Sequence, residues 1–421
     1  MSAELFFDRS TRREFPMNAR IALLLSAVAV APACAIDVPA LRYVDHYNLP
    51  YTSGLNGTVF GNTLFGGISG MDRDEITGTY YGISDDRSQN APAGGDNAAR
   101  FYNLSINVGQ NGFVGANPVT INTVNRLQRP DGSAFPTLGV DPESIRFRRD
   151  GSGAASLYWA SEGAAVSTSN PPLQNPFIRQ MNIDGSYVRE FTNPAKINPN
   201  GVGGAQSSGV RNNLGYEGIT FSPDGTRMYG AIESSLFQDG PRATATAGSV
   251  NRIVEFTTAT GTAGREFAYV TDRIQTVNPA NANDNGVSEI LAISDTNFLV
   301  VERSFALGGE GNSIRIYNVS IAGATDVSGL NSLIGQSYVP ATKQLLLTLN
   351  AQGLGGRFNP DNIECLSLGP VLPNGDQSFF LVADNNFGAT QSNTFIMLAV
   401  PAPASMGLLG LGLAAAGRRR R

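Results

Sequence analysis

One histidine, His46, is all that a chain of 421 residues contains. That scarcity excludes histidine-rich zinc sites, two-histidine relays and the histidine acid phosphatase mechanism. A Ser-His-Asp triad would have to use His46, close to the expected mature N-terminus. Lysine is almost as rare: Lys196 and Lys343 are the only two. No Lys/Arg-rich block interrupts the body of the chain, so nucleic acid is not an expected partner. There are two cysteines, Cys34 and Cys365. Cys34 falls in the expected leader, which leaves the mature protein a single thiol and no internal disulfide. Cys365 reads as a small buried residue. Charged residues make up only 15% and the net charge is −5. Against these gaps stand 48 glycines and 41% hydrophobic residues. That is a turn-rich globular composition, with room for one large β domain or two ordinary ones.

The two ends read as addresses. Ile21–Ala31 is a short apolar run preceded by Arg20, and Ala33-Cys34-Ala35 after it has the form of a leader cleavage site. Residues 1–35 are therefore expected to be a signal peptide. Upstream, Ser10-Thr11-Arg12-Arg13-Glu14-Phe15 resembles the twin-arginine export motif, with Pro16 where a leucine is usual. That resemblance implies export of an already folded protein. Alternatively Met17 is the start, and export is expected either way. At the other end, Val400-Pro401-Ala402-Pro403 leads into the apolar stretch Ala404–Gly417 and then four arginines. Its 14 residues fall short of the roughly 20 a relaxed membrane span needs. The arginines would stay cytoplasmic. The order of motif, apolar segment and basic tail over 399–421 resembles the PEP-CTERM sorting signal, with Ala402 in place of the usual glutamate. It implies an exosortase-type processing enzyme, a transient membrane anchor through the C-terminal segment, and display in the periplasm, outer surface or matrix of a Gram-negative bacterium. A plain C-terminal anchor is the other reading.

Between the ends one hairpin recurs. Its clearest copy, Gly215–Ser234, alternates apolar and polar residues up to the turn Ser222-Pro223-Asp224-Gly225-Thr226 and runs back to Glu233. Related hairpins begin at Glu143, Glu289 and Glu364, so the leading acids are spaced by 74, 72 and 75 residues. A degenerate copy puts Gly67 in the leading place, 76 residues before Glu143. Further strand candidates follow each hairpin. Four short strands per unit, repeated at a period of ~74 residues, predict an all-β propeller of five or six blades over 36–398. Leu41–Tyr47 is positioned to close the ring, and a sixth blade could lie in 321–350.

Strand alternation predicts that Glu217 faces Ala231 and that Glu289 faces Glu302. Each hairpin then carries its acids to one end, and that end is shared around the ring. Glu143, Glu162, Glu217, Glu289, Glu364, Asp85 and Asp384 are the expected metal ligands, with Asp86 beside them. So many carboxylates raise one another's pKa unless something positive balances them. A divalent cation suits an all-oxygen donor set, Ca²⁺ best because it takes six to eight oxygens. Arginine is the other counter-charge and a natural phosphate clamp. Arg87, Arg146 and Arg211 are the expected substrate-binding residues, with Arg357 a further nearby cation. Glu233, Glu302 and Arg303 are the expected catalytic residues, the glutamates as ligand or base and Arg303 as clamp. The small-molecule partner predicted by this set is a phosphate ester or a similar ester. An equally plain alternative has the acids accepting backbone N–H groups as a structural ring.

Several stretches resemble the phytase-like family described as "esterase-like activity of phytase". They are P-E-S-I-R at 142–146, L-Y-W-A-S-E-G at 157–163, N-L-G-Y-E-G-I-T-F-S-P-D-G at 213–225, F-L-V-V-E-R-S at 298–304, and N-I-E-C-L at 362–366 with F-L-V-A-D-N-N at 380–386. The resemblance spans roughly residues 60–400. It implies an exported domain rich in Glu and Asp, assumed to act as a phosphodiesterase or phytase-like esterase. Gly67 departs from it by leaving the first unit without its leading acid. A Ca²⁺-dependent lactonase-like propeller and a non-catalytic surface-displayed binding or matrix module are the alternatives.

Overall fold

The short strands and frequent Asp-Gly turns assemble into five four-stranded antiparallel sheets, each continuous in sequence except the last. The computed structural model describes residues 35–49, 58–275, 283–306, 311–350, 360–388 and 390–401. The leader, Arg357 and nearly all of the sorting tail lie outside them. Blade 1 contains Ile68–Arg73, Tyr80–Ser84, Arg100–Ile106 and Val119–Arg126. Blade 2 contains Pro142–Arg149, Ala155–Ser161, Phe177–Met181 and Tyr187–Glu190. Blade 3 is built from Tyr216–Phe221, Arg227–Ile232, Val250–Thr257 and Thr262–Val270, and blade 4 from Asn283–Ala292, Asn297–Ala306, Ser313–Ser320 and Thr342–Leu349. Blade 5 takes Asn362–Val371, Gln377–Asp384 and Thr394–Val400 from the C-terminal part and Arg42–Asn48 from the N-terminal part. The early strand pairs antiparallel with Thr394–Val400 and closes the ring as expected. No sixth blade forms among the described residues. The stretch expected to hide one supplies the outermost strand of blade 4, Thr342–Leu349, and the loop leading to it.

Packing explains why the inner strands are apolar on both faces. Gln377–Asp384 is buried at seven consecutive positions, whereas the outermost strand Tyr187–Glu190 alternates half-buried and exposed. The core is a set of clusters between neighbouring blades. Ile83 and Phe101 of blade 1 pack on Ile145 and Trp159 of blade 2, and Ile178 of blade 2 packs on Tyr216 and Ile219 of blade 3. Tyr229 meets Phe298, Val301 meets Leu366, and Phe380 meets Tyr80 to complete the circle. The turns are held locally. Asp224 accepts hydrogen bonds from the Thr226 N–H and the Ser222 hydroxyl while Gly225 takes a φ of +67°. That left-handed conformation is the reason for a glycine there.

Every first strand carries an irregularity where it meets the second. The register shifts between Ile68 and Gly70, Pro142 and Ile145, Tyr216 and Gly218, Val287 and Glu289, and Ile363 and Cys365. A bulge inserts one unpaired residue and re-aims its side chain. The expected registers are corrected accordingly. Glu217 faces no partner because it is the inserted residue, and Gly218 faces Ala231. Glu302 faces Val287, while Glu289 faces Val301. The repeat itself also shifts: the inserted positions are Ser69, Glu217, Ser288 and Glu364, with Glu143 in blade 2, rather than a series through Gly67 and Glu289.

The first strands converge on the propeller axis. A Cβ on Gly218 would stand 2.7 Å from the Ile290 nitrogen and 3.0 Å from the Glu289 Cα. Gly218→Ala must therefore push two blades apart. It is expected to destabilise the protein by about 1–3 kcal/mol. Chemical denaturation checks this, and an unchanged midpoint would show that the axis can relax.

Candidate functional site: a carboxylate mouth

The bulges deliver acids to one opening of the axial channel. A cavity of about 260 Å³ there is lined by Asp85, Asp141, Glu143, Glu162, Glu217 and Glu364, with Arg87 and Arg303 among them. Glu233 and Asp384 stand immediately behind the lining. Oxygens of Glu162, Glu217 and Glu233 lie within 4.8 Å of one another, as do those of Asp85, Glu364 and Asp384, and those of Asp141, Glu143 and Glu162. Eight carboxyl groups thus meet, drawn from four of the five blades and the turns around them.

Their electrostatics follow from crowding away from water. Burial, then neighbouring carboxylates, push Asp85, Glu143, Glu162 and Glu217 well above the ordinary carboxyl range. Asp141 and Glu233 are pushed up to about 7, burial again being the main cause. Asp384 is raised to about 8 by burial and by Glu364. Arg303 loses solvation as well, yet Glu364, Glu233 and Glu217 hold its proton more tightly than usual. Its Nη1 lies 2.6 Å from Glu364 Oε1, and its Nη2 lies 3.6 Å from Glu233 Oε1. Arg87 reaches Asp141 at 3.3 Å and donates to Ser169 at 3.0 Å. Its Nε is buried with no acceptor among the described residues.

Some acids are satisfied by the protein. Glu143 accepts from the Ser69 hydroxyl at 2.6 Å, Glu162 from the Gly215 N–H at 2.9 Å, and Asp384 from the Asn386 N–H at 2.8 Å. Others are not. Oε2 of Glu217 and Oε2 of Glu364 are buried and accept no hydrogen bond among the described residues. Unpartnered carboxyl oxygens in an all-oxygen donor set fit a hard divalent cation. The residues present therefore suit a Ca²⁺-like ion, and Glu217 is the first choice of ligand.

Strained backbone rims the same cavity. Asn213, Asn386 and Phe387 line it with φ values of 56°, 44° and 50°. Left-handed φ in a bulky residue such as phenylalanine is uncommon and gathers at functional sites. Phe387 is held there beneath the Arg100 guanidinium, 5.5 Å from its ring centre, and Arg100 is itself paired with Asp86 at 2.6 Å. Asp86 also accepts from Gln89 and Asn90, so it shapes the rim.

The structure separates four expected site residues from the mouth. Arg146 and Glu289 meet deeper in the channel, 2.9 Å apart. Glu302 lies elsewhere in blade 4, where it accepts from the Tyr269 hydroxyl at 2.6 Å, Lys343 at 2.6 Å and the Asp272 N–H at 2.8 Å. Arg211 donates to the carbonyls of Ser235 and Gly240 and stacks on Phe237. His46 sits on the outermost strand of blade 5 and contacts Tyr43 at 2.7 Å. Sequence reasoning missed Asp141. It stands just before the first strand of blade 2, two residues from Glu143, and that proximity was the available signal. Asn362, which donates to both Glu364 and Asp384, was missed too.

Comparisons with known proteins bear on the chain as a whole. No curated protein matches it. Among solved structures, the Dos1 propeller overlaps with a TM-score of 0.33 at 8% identity, covering 79% of this chain and 68% of that one. The RS223 β-xylosidase gives 0.39 at 10% identity, covering 80% and 92%. An endo-1,4-β-xylanase from Bacteroides thetaiotaomicron gives 0.40 at 10% identity, covering 79% and 90%. Overlaps this loose say nothing about chemistry. Residues 399–421 match the PEP-CTERM protein-sorting motif, which implies export, exosortase processing and association with the membrane. Residues 63–387, which hold the mouth and most of the five blades, match the family described as "Phytase-like: Esterase-like activity of phytase", and the chain belongs to that family.

Proposed function

We propose that the mouth is the active site of a cation-dependent hydrolase of phosphate esters. The observation that carries this reading is the pairing of buried, unpartnered carboxylate oxygens with two arginines around one cavity. Eight carboxyl groups would repel an anionic substrate unless a cation offset them. Glu217 and Glu162, whose oxygens lie within 4.8 Å of one another, are the ligands best placed to hold such an ion. When bound, a divalent cation supplies an electrophile for the ester and lowers the pKa of a coordinated water. The chain's own residues do the rest. Arg87 offers its unpartnered Nε to a phosphate oxygen, and Arg303 presents a second positive charge across the cavity. Glu233, raised to about 7, accepts a proton from the attacking water near neutral pH. Phe387 and the loop around Asn386 restrict access from solvent.

The protein donors to Glu162 and Asp384 favour a second reading, a structural ring in a binding module. Turnover distinguishes the two. The purified exported protein, stripped with EDTA and given Ca²⁺ or another divalent cation, is expected to hydrolyse 4-nitrophenyl phosphate, its bis-ester or phytate. EDTA should abolish the activity. Hydrolysis of lactones in place of phosphate esters would move the site to lactonase chemistry. No turnover of either class with any cation would leave the binding module.

A further inference from the structure

The five blades do not furnish the mouth equally. Ser84, Ser161, Ile232, Glu302 and Ala383 of the second strands pair with the residue just before each bulge, and the residue after them is Asp85, Glu162, Glu233, Arg303 or Asp384. Blade 4 therefore presents a guanidinium where the other four present a carboxyl group. At the inserted position it presents Ser288 where blades 2, 3 and 5 present glutamate. One blade contributes no acid to the mouth and one fixed positive charge.

That charge is not shared evenly. Arg303 Nη1 lies 2.6 Å from Glu364, and Asn362 donates to Glu364 at 2.8 Å and to Asp384 at 3.2 Å. The Asn386 N–H adds a further bond to Asp384. A cation ligated by Glu364 would sit beside the guanidinium and be repelled by it. The far side differs. Glu217, only 3% exposed, lines the cavity and leaves Oε2 unpartnered as Glu364 does, but unlike Glu364 it makes no ion pair among the described residues. Arg303 approaches this side no closer than 3.6 Å from Glu233. Glu162 belongs both to the group with Asp141 and Glu143 and to the group with Glu217 and Glu233.

We infer that Arg303 is a built-in cation serving Asp85, Glu364 and Asp384, and that the opposite five carboxyl groups form a site for two divalent cations bridged by Glu162. Five acids, one of them paired with Arg87, are balanced by two doubly charged ions, whereas a third ion would compete with Arg303. The inference rests on the cation-dependent reading above and adds to it the number and place of the ions.

Counting bound ions tests it. Calcium titration calorimetry and native mass spectrometry of the full exported protein are expected to give two ions per chain. Arg303→Gln removes the resident charge and is expected to admit a third. Arg303→Lys keeps the charge and should stay at two, which guards against a folding artefact in the first variant. Glu162→Gln should lower the count below two. One or three ions in the wild type, or an unchanged count in Arg303→Gln, overturns the inference. If ester hydrolysis is still cation-dependent in that case, the proposed function stands without it. If the wild type binds no ion at all, both fail together.

Discussion

Arg146→Met is expected to lower the unfolding free energy by about 3–5 kcal/mol, the usual cost of stranding one member of a buried ion pair. The Arg146 side chain is 2% exposed. It pairs with Glu289 of blade 4 and donates to the carbonyls of Met71, Ile145 and Ile290 at 3.1, 3.0 and 2.9 Å. One side chain therefore ties blades 1, 2 and 4 together at the axis. Among the described residues Glu289 has no other cation to turn to, and besides Arg146 it accepts from the Ile290 N–H of its own blade and from Ser144. Burial raises Glu289 to about 8 even against the pull of Arg146, so removing Arg146 raises it further. A loss of this size is a large share of the 5–15 kcal/mol that holds an ordinary domain together. The double variant Arg146→Met, Glu289→Met is expected to recover most of it, since an apolar pair of similar volume can replace a buried ion pair without penalty. Urea unfolding of the two variants measures both numbers. A single variant within 1 kcal/mol of wild type would show that the axis does not depend on this pair. Activity per folded molecule should be unchanged, because Arg146 does not line the mouth.

The contrast between Arg146 and Arg303 shows what the sequence could and could not reveal. The period was legible because each blade repeats one hairpin with acids at its end, and the closing strand, expected at Leu41–Tyr47, was legible as a β-like stretch ahead of the first blade. The bulge was not, since nothing local states on which side of the pairing an extra residue falls. In blade 4 that ambiguity moved the inserted place from Glu289 to Ser288. Glu302 then stood in for the residue just past the one paired beside the bulge, where the structure puts Arg303. One residue of slip exchanges the two faces of a strand. It is enough to send Glu289 and Glu302 away from the mouth and bring an arginine into it. Partners distant in sequence were hidden for a different reason. The contact from Arg303 to Glu364 spans 61 residues and depends on how neighbouring blades are rotated.

Glu217→Gln separates a metal site from a structural ring because it moves stability in opposite directions with and without cation. In the metal-free protein the mouth carboxyl groups keep protons that the unfolded chain releases above a pH of about 4. Folded Glu217 is held well above that range, Asp141 and Glu233 at about 7, and Asp384 at about 8. The folded state thus binds more protons than the unfolded state across this window. Metal-free stability is greatest below it and falls as the pH climbs through 7 to 8. Glutamine removes one of the charges responsible, so the EDTA-treated variant should melt above wild type at pH 8. Cation reverses the order. At 100 times its Kd an ion stabilises the wild type by about 2.7 kcal/mol, and the variant should lose most of that gain with its ligand. Hydrolysis should fall by at least about 100-fold, more than the loss of a supporting residue around a metal ligand would cause. Melting curves at pH 5 and pH 8, each with EDTA and with Ca²⁺, give the full comparison. A hydrogen-bond ring predicts the other pattern: Glu217→Gln would alter stability by the same amount with or without Ca²⁺, and that outcome would sink the assignment of Glu217 as a ligand. The two patterns differ in sign at pH 8, so the comparison does not depend on knowing the substrate.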